Sequence, residues 1–160
     1  MIVRAFVPAD LTQLIELTVE TFRPSFEESF RPLMGEVVFG IQHGNWRDDY
    51  RREVPELHDP GQHKYVAVAE SNGRITGYVG WRVEPARAYG SITLLAVAAD
   101  HRRGRAGAAL CEHAFGEMRG LGARMVEIGT GGDAFHAPAR ALYESLGCVK
   151  VPTAVYFREL

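Results

Sequence analysis

Cysteine is nearly absent from this sequence, with only Cys111 and Cys148 among 160 residues. Two thiols so far apart make neither a disulfide framework nor a C-x-x-C metal pair, and a reducing cytoplasm is the expected compartment. An excess of charge of either sign is also lacking. Eighteen basic and twenty acidic residues leave a net charge of −2 and a pI ≈ 6.3, so no global basic field favours nucleic acid or an anionic membrane. No apolar run approaches the roughly 20 residues that span a bilayer. The opening MIVRAFVPADL turns polar too soon for a signal peptide. His43, His58, His63, His101 and His113 show no H-x-x-x-H or linked cysteine spacing, so no metal is expected. What is present, 46% hydrophobic and 24% charged residues, suits a single globular domain over 1–160.

Periodicity divides the chain. Ile2 to Val7 reads as a strand ended by Pro8, and Asp10 with Gln13 makes a capping-box pattern for a following helix. Leu11, Leu14, Ile15, Thr18 and Phe22 keep helical spacing, while Pro24, Pro32, Gly35 and Gly40 cut the continuation into short pieces. Trp46, Tyr50 and Val54 mark another short helix. The period then falls to two. Lys64–Glu70, Ile75–Val83 and Tyr89–Val97 predict an antiparallel meander, with Asn72-Gly73 as the first hairpin turn. A helix through Leu110, Ala114, Met118 and Leu121 follows, stopped by Gly120 and Gly122. Met125–Ile128 is a further strand. Pro138 opens and Gly147 closes a last helix, and Val149–Val151 and Ala154–Phe157 predict two final strands split by Pro152. The order implies an α/β fold: a mixed central sheet, antiparallel meander plus parallel pairing, flanked by helices on both faces.

Arg102 to Gly107 lies between a strand and a helix N-terminus, where free amides and the positive end of the helix dipole converge. Gly104, Ala106, Gly107 and Ala108 allow a phosphate close to the main chain, and Arg102, Arg103 and Arg105 add charged donors. From these residues alone, a phosphate site and a solvated basic turn are both open readings.

The neighbouring residues carry a resemblance. Leu94-Leu95-Ala96-Val97 followed by His101 to Leu110 resembles the signature of the GNAT N-acetyltransferases, R/Q-x-x-G-x-G/A after a strand, with Arg102, Gly107 and Leu110 on matching positions. Arg105 stands where the family usually has its first glycine, and Gly104 is the residue that could take over that part. Ala141 to Cys148 (ALYESLGC) is similar to the family stretch A-L-Y-E-x-x-G-F. The resemblance covers Lys64 to Leu160 well and the earlier region only by its helical pattern. It implies an acetyl-CoA-dependent N-acetyltransferase acting on a primary amine of a small molecule or peptide. Leu95, Ala96, Val97, Arg102, Arg103, Gly104, Arg105, Ala106, Gly107 and Ala108 would hold the cofactor. His136, seven residues before Tyr143 where many members carry asparagine, would contact it too. Tyr143 would be the general acid. Dimers are common in the family, so a homodimer is among its implications. The other reading is a catalytically weak acyl-CoA-binding regulatory module, which Arg105 could support.

Other features stay open. Gly129-Thr130-Gly131-Gly132-Asp133-Ala134 fits G-x-G-x-x-A, yet too little βαβ structure follows for a dinucleotide domain, so the glycines are read as turn formers. Glu84, Glu127, Asp133, His136, Glu27 and Glu28 are all candidate bases, and a water relay is an alternative to each. Phe22, Phe26, Phe30, Trp46 and Tyr50 either line an acceptor pocket or pack a helical core. Acidic Glu27, Glu28, Asp48 and Asp49 would suit a cationic acceptor.

Overall fold

The computed structural model describes residues Met1–Leu160. The chain divides into two compact units, Met1–Thr21 with Tyr50–Gly129, and Phe22–Asp49 with Thr130–Leu160.

The first unit is built on five strands in sequential order: β1 (Ile2–Ala5), β2 (Lys64–Ser71), β3 (Arg74–Glu84), β4 (Tyr89–Val97) and β5 (Met125–Ile128). The first four pair antiparallel and β5 joins β4 in parallel. The β2–β3 turn carries φ 52° at Asn72 and 74° at Gly73, the left-handed pair that a two-residue hairpin requires. Helix α1 (Leu11–Pro24) begins in this unit, and α5 (Ala106–Gly120) connects β4 to β5.

The period-two pattern of the strands assigns the faces. Val79, Trp81 and Val83 of β3 pack with Ala67, Ala69 and Ile92 against Leu110, Ala114 and Met118 of α5. Tyr78 points the other way, where its hydroxyl meets Thr18 Oγ1 of α1 at 2.5 Å. Both groups are buried, so each satisfies the other's polar atom, and burial pushes the Tyr78 phenol upward. The expected two-faced sheet is therefore present.

Asp10 does not act as the predicted helix cap. It sits at the end of a 3-10 turn, Pro8–Asp10, and accepts the Val7 amide at 2.9 Å. Arg4 grips its carboxylate with two donors at 2.8 and 3.0 Å. A buried carboxylate takes the strongest donors in reach, and here those are on β1 and its exit rather than on the next helical turn.

The second unit contains the wide turn Ser25–Phe30, α2 (Arg31–Met34), α3 (Glu36–His43), the start of α4 (Trp46–Glu53) and α6 (Ala137–Ser145). Pro24 is the last residue of α1, and its helical backbone leads directly into a π-type turn, Ser25–Phe30. Phe39 and Trp46 are buried here.

The two predicted final strands are absent. Residues 148–160 have no regular structure, with Val149 89%, Val151 78% and Tyr156 92% exposed. The apolar alternation is real, but β propensity acts only where a neighbouring strand supplies bonds and contacts. Pro152 further limits each piece to three or four residues and removes a ladder donor.

Candidate active site

The first unit opens along β4. Gly80 pairs with Leu94 and Trp81 with Ile92, so Thr93 is an extra residue on β4, a β-bulge. The parallel pairing with β5 stops at Ile92↔Ile128. Beyond the bulge, β4 continues to Val97 bonded only to β3. A bulge bends its strand and ends pairing on one side, which accounts for β4 leaving β5 at this point. In an antiparallel pair, alternate residues direct both backbone groups to the partner. The amide of Ala98 reaches Thr76 O at 2.9 Å, so Ala96 also faces β3, while Leu95 and Val97 turn their amides and carbonyls to the open edge.

The chain then enters the loop anticipated from the glycines and arginines. A 3-10 turn, Ala99–His101, leads through Arg102–Arg105 into α5. Ala109 N bonds Arg105 O at 2.9 Å, so the amides of Ala106, Gly107 and Ala108 precede the first intrahelical bond and are free for a ligand. No acidic residue lies in the first turn of α5. Arg102, Arg103 and Arg105 are exposed. Arg102 Nε donates to Val97 O at 3.1 Å, which pins the loop to the end of β4 and leaves its terminal nitrogens for other partners.

The second unit carries the other predicted residues. His136 is the N-terminal flank of α6, and Tyr143, half-buried, lies in its last turn. His136 Nδ1 is hydrogen-bonded to Asp133 Oδ1, and Ser29 Oγ donates to Asp133 Oδ2 at 2.9 Å. Burial works to raise the Asp133 carboxyl, but the bonds from His136 and Ser29 outweigh it and hold it below the usual carboxylate range. Arg140 Nη1 donates to Gly131 O at 2.6 Å and Asp133 O at 2.8 Å, fixing the loop. A Cβ on Gly131 would fall on Asp133 Oδ1 and His136 Nδ1. The glycine of the G-x-G-x-x-A pattern thus makes room for a side-chain pair.

Several sequence candidates are already engaged. Glu84 pairs with Arg87 at 2.8 Å, and Glu127 accepts the Tyr89 hydroxyl at 2.7 Å. Glu27 accepts Trp46 Nε1 at 3.1 Å and pairs with Arg31 at 2.5 Å and Arg47 at 3.2 Å. That carboxylate is neutralised within the unit and offers little charge to a cationic ligand. Phe26 stacks on Trp46 at 4.7 Å and meets Phe30 edge-on at 5.8 Å, which supports the packing reading for Trp46. No group of three or more His, Cys, Asp or Glu side chains is placed to hold a metal, and no helix is long and apolar enough to cross a membrane.

The sequence reading missed the Ser29–Asp133–His136 line and the bulge at Thr93. Only the short separation of Asp133 and His136, one helical turn, hinted at the first.

The fold is that of the acetyltransferases. The structure is similar to the apo aminoglycoside 6'-N-acetyltransferase of Acinetobacter haemolyticus, with TM-score 0.69 and 15% identity over 100% of this chain and 99% of that one. It is similar to an aminoglycoside 6'-N-acetyltransferase complexed with coenzyme A, with TM-score 0.61 and 19% identity over 81% and 62%. A GNAT family acetyltransferase from Brucella melitensis in complex with acetyl-CoA gives TM-score 0.61 and 18% identity over 91% and 80%. No protein of curated function matches the sequence. The acetyltransferase (GNAT) family matches residues 13–148, and this chain belongs to it.

Proposed function

We propose that the protein transfers an acetyl group from acetyl-CoA directly to a primary amine of a small molecule or peptide. One observation carries this reading: the outward edge of Leu95 and Val97 leads, through a single short loop, to the open N-terminus of α5. An extended, amide-bearing pantetheine arm can pair with such an edge as an added strand would. A diphosphate suits the free amides of Ala106 to Ala108 at the positive helix end, with Ala96 and Gly104 lining the path and Arg102, Arg103 and Arg105 supplying charge. The solved relatives bound to coenzyme A and acetyl-CoA support the choice of acyl donor. The aminoglycoside enzymes among them support a small-molecule amine as acceptor.

Attack on the thioester needs a neutral amine, a donor to the developing oxyanion and a proton for the departing thiolate. An outward amide at the end of β4 is the oxyanion donor in this reading. Tyr143 is the proton donor, assigned on its place in the ALYES stretch. A phenol of pKa about 10 is protonated near neutrality and relays a proton to the departing thiolate, whose thiol has pKa about 8.5.

The test is an amine panel with detection of released CoA thiol, beside calorimetry with CoA. Tyr143→Phe is expected to lower kcat roughly a hundredfold with little change in KM for acetyl-CoA. Binding of CoA without thiol release on any amine would favour the regulatory module. Unchanged kcat in Tyr143→Phe would remove the acid role.

A further inference from the structure

Ser29, Asp133 and His136 form a hydrogen-bonded line in the second unit, and Arg140 holds the loop that carries two of them. His136 spends Nδ1 on Asp133, which fixes the tautomer with the proton on Nδ1 and the lone pair on Nε2. Nε2 makes no hydrogen bond within the chain, and the His136 and Asp133 side chains are each 16% exposed. Phe30 stacks along the imidazole at 6.3 Å and Phe135 meets it edge-on at 4.8 Å, so the ring is held between two apolar surfaces. A residue that merely contacts a cofactor needs one neutral donor. It does not need an ionised, half-buried carboxylate behind it, itself oriented by a serine and by the backbone grip of an arginine. Such a third group behind an imidazole is the arrangement that makes histidine a base.

We infer that His136 is the general base that takes the proton from the acceptor ammonium, with Asp133 and Ser29 as positioning residues. This rests on the acetyl-transfer reading above and replaces a cofactor contact as the role of His136. Of the other carboxylates considered for the task, Glu84 is committed to Arg87, Glu127 to Tyr89, and Glu27 to Arg31 and Arg47, while Glu28 lies on an exposed surface opposite Arg23 with no third group behind it. The ammonium proton passes to His136 Nε2, and the imidazolium formed is stabilised by the Asp133 carboxylate. The neutral amine then forms the C–N bond as the C–S bond breaks. The second proton on nitrogen ends on the CoA sulfur by way of the Tyr143 hydroxyl, and the imidazolium returns its proton to water. The net products are the amide, free CoA thiol and one proton. The charged or titratable groups around the ring are Asp133 on its own loop, Arg140 of α6 through the loop carbonyls, and His43 of α3, stacked on Phe30 at 5.4 Å.

The test is kcat/KM for the amine against pH in wild type, His136→Asn and Asp133→Asn, with CoA calorimetry and thermal melting on each. Wild type is expected to show an acid limb, since a base that must be neutral to act is lost on protonation. His136→Asn should lose that limb and fall roughly 10²–10⁴-fold while binding CoA as before. Asp133→Asn should keep the limb but move it to lower pH, because the imidazolium loses its counter-charge. A His136→Asn enzyme that keeps the limb, or whose loss lies in CoA binding, would overturn the assignment. If that variant does not fold, an unmoved limb in Asp133→Asn overturns it instead. A wild type that binds CoA but acetylates no amine overturns the transferase reading and this one together, which separates the two failures.

Discussion

Replacing Gly131 by alanine tests the geometry of the site with a single methyl group. The backbone at Gly131 is not in the left-handed region, so alanine meets no conformational penalty there. The obstacle is space: a Cβ would stand 2.6 Å from His136 Nδ1 and against Asp133 Oδ1 as well. A carbon needs about 3.5 Å from such atoms, so the ring or the carboxylate must retreat by close to an ångström. The loop cannot yield easily, because Arg140 holds the carbonyls of Gly131 and Asp133. The bond between His136 and Asp133 is therefore what breaks. A hydrogen bond to a charged group contributes about 1.5–3 kcal/mol, which corresponds to a fall of roughly 10- to 150-fold in kcat/KM for the amine. The neighbouring Gly132→Ala is the control, since a Cβ there meets nothing within 4 Å and its backbone is likewise not left-handed. Steady-state rates and melting curves for both variants decide the matter. If Gly131→Ala matches Gly132→Ala in rate, the pair carries no catalytic role and the crowding argument fails.

Two further outcomes concern the frame beneath the site. Leu110 is fully buried against the sheet, so Leu110→Ala should lower stability by about 3 kcal/mol, read as a lower urea midpoint at unchanged m; a loss under 1 kcal/mol would contradict this packing. The Arg4 pair holds the Asp10 carboxyl below its usual range, so its stabilisation is complete above the unfolded value of about 3.9 and disappears as pH falls through the lower folded value. Asp10→Asn should cost about 1–2 kcal/mol at pH 7, discounted because Arg4 is partly solvated and keeps Glu70. The gap between variant and wild type should narrow as the medium is acidified below pH 4; a constant gap would rule out the linkage.

The elements legible in the sequence are those whose signals are local. Asn72-Gly73 specifies its own left-handed turn, Pro138 and Gly147 bracket α6, and the strands of the meander alternate because one residue in two faces α5. The loop from Arg102 to Ala108 was equally readable, since a strand, small residues and a helix start are contiguous in the chain. What could not be read depends on distant partners. Ser29 lies 104 positions from the Asp133 it orients, and no spacing rule joins them. Asp10 looked like a cap because capping is judged from the next three residues, whereas the donors that won belong to Arg4 and Val7. The bulge at Thr93 leaves no mark on the alternation of β4, yet it frees the edge on which the proposed cofactor site depends. The last two strands failed for the converse reason: their pattern is local, but a strand exists only with a partner, and residues 148–160 have none.

Arg105, in place of the family's usual glycine, is where a local rule and the structure part most instructively. Glycine is required at a position that needs either a left-handed backbone or a very close approach. Arg105 has φ −78° and ψ 3°, which any residue can adopt. The left-handed residue is Arg103 at φ 65°, and the close approach is at Gly104, whose added Cβ would lie 3.2 Å from His101 O. The conformational demand has thus moved one or two residues upstream, and the side chain at 105 is free to be charged. It is not neutral in energy, however. Three exposed arginines gather at the positive end of α5 with no acid in its first turn, and the helix dipole disfavours cations there. An arrangement that costs stability when empty and gains it back from an anion is the expected signature of a phosphate site. Arg105 therefore fits the cofactor cleft proposed above and is no sign of a loop that has lost its ligand.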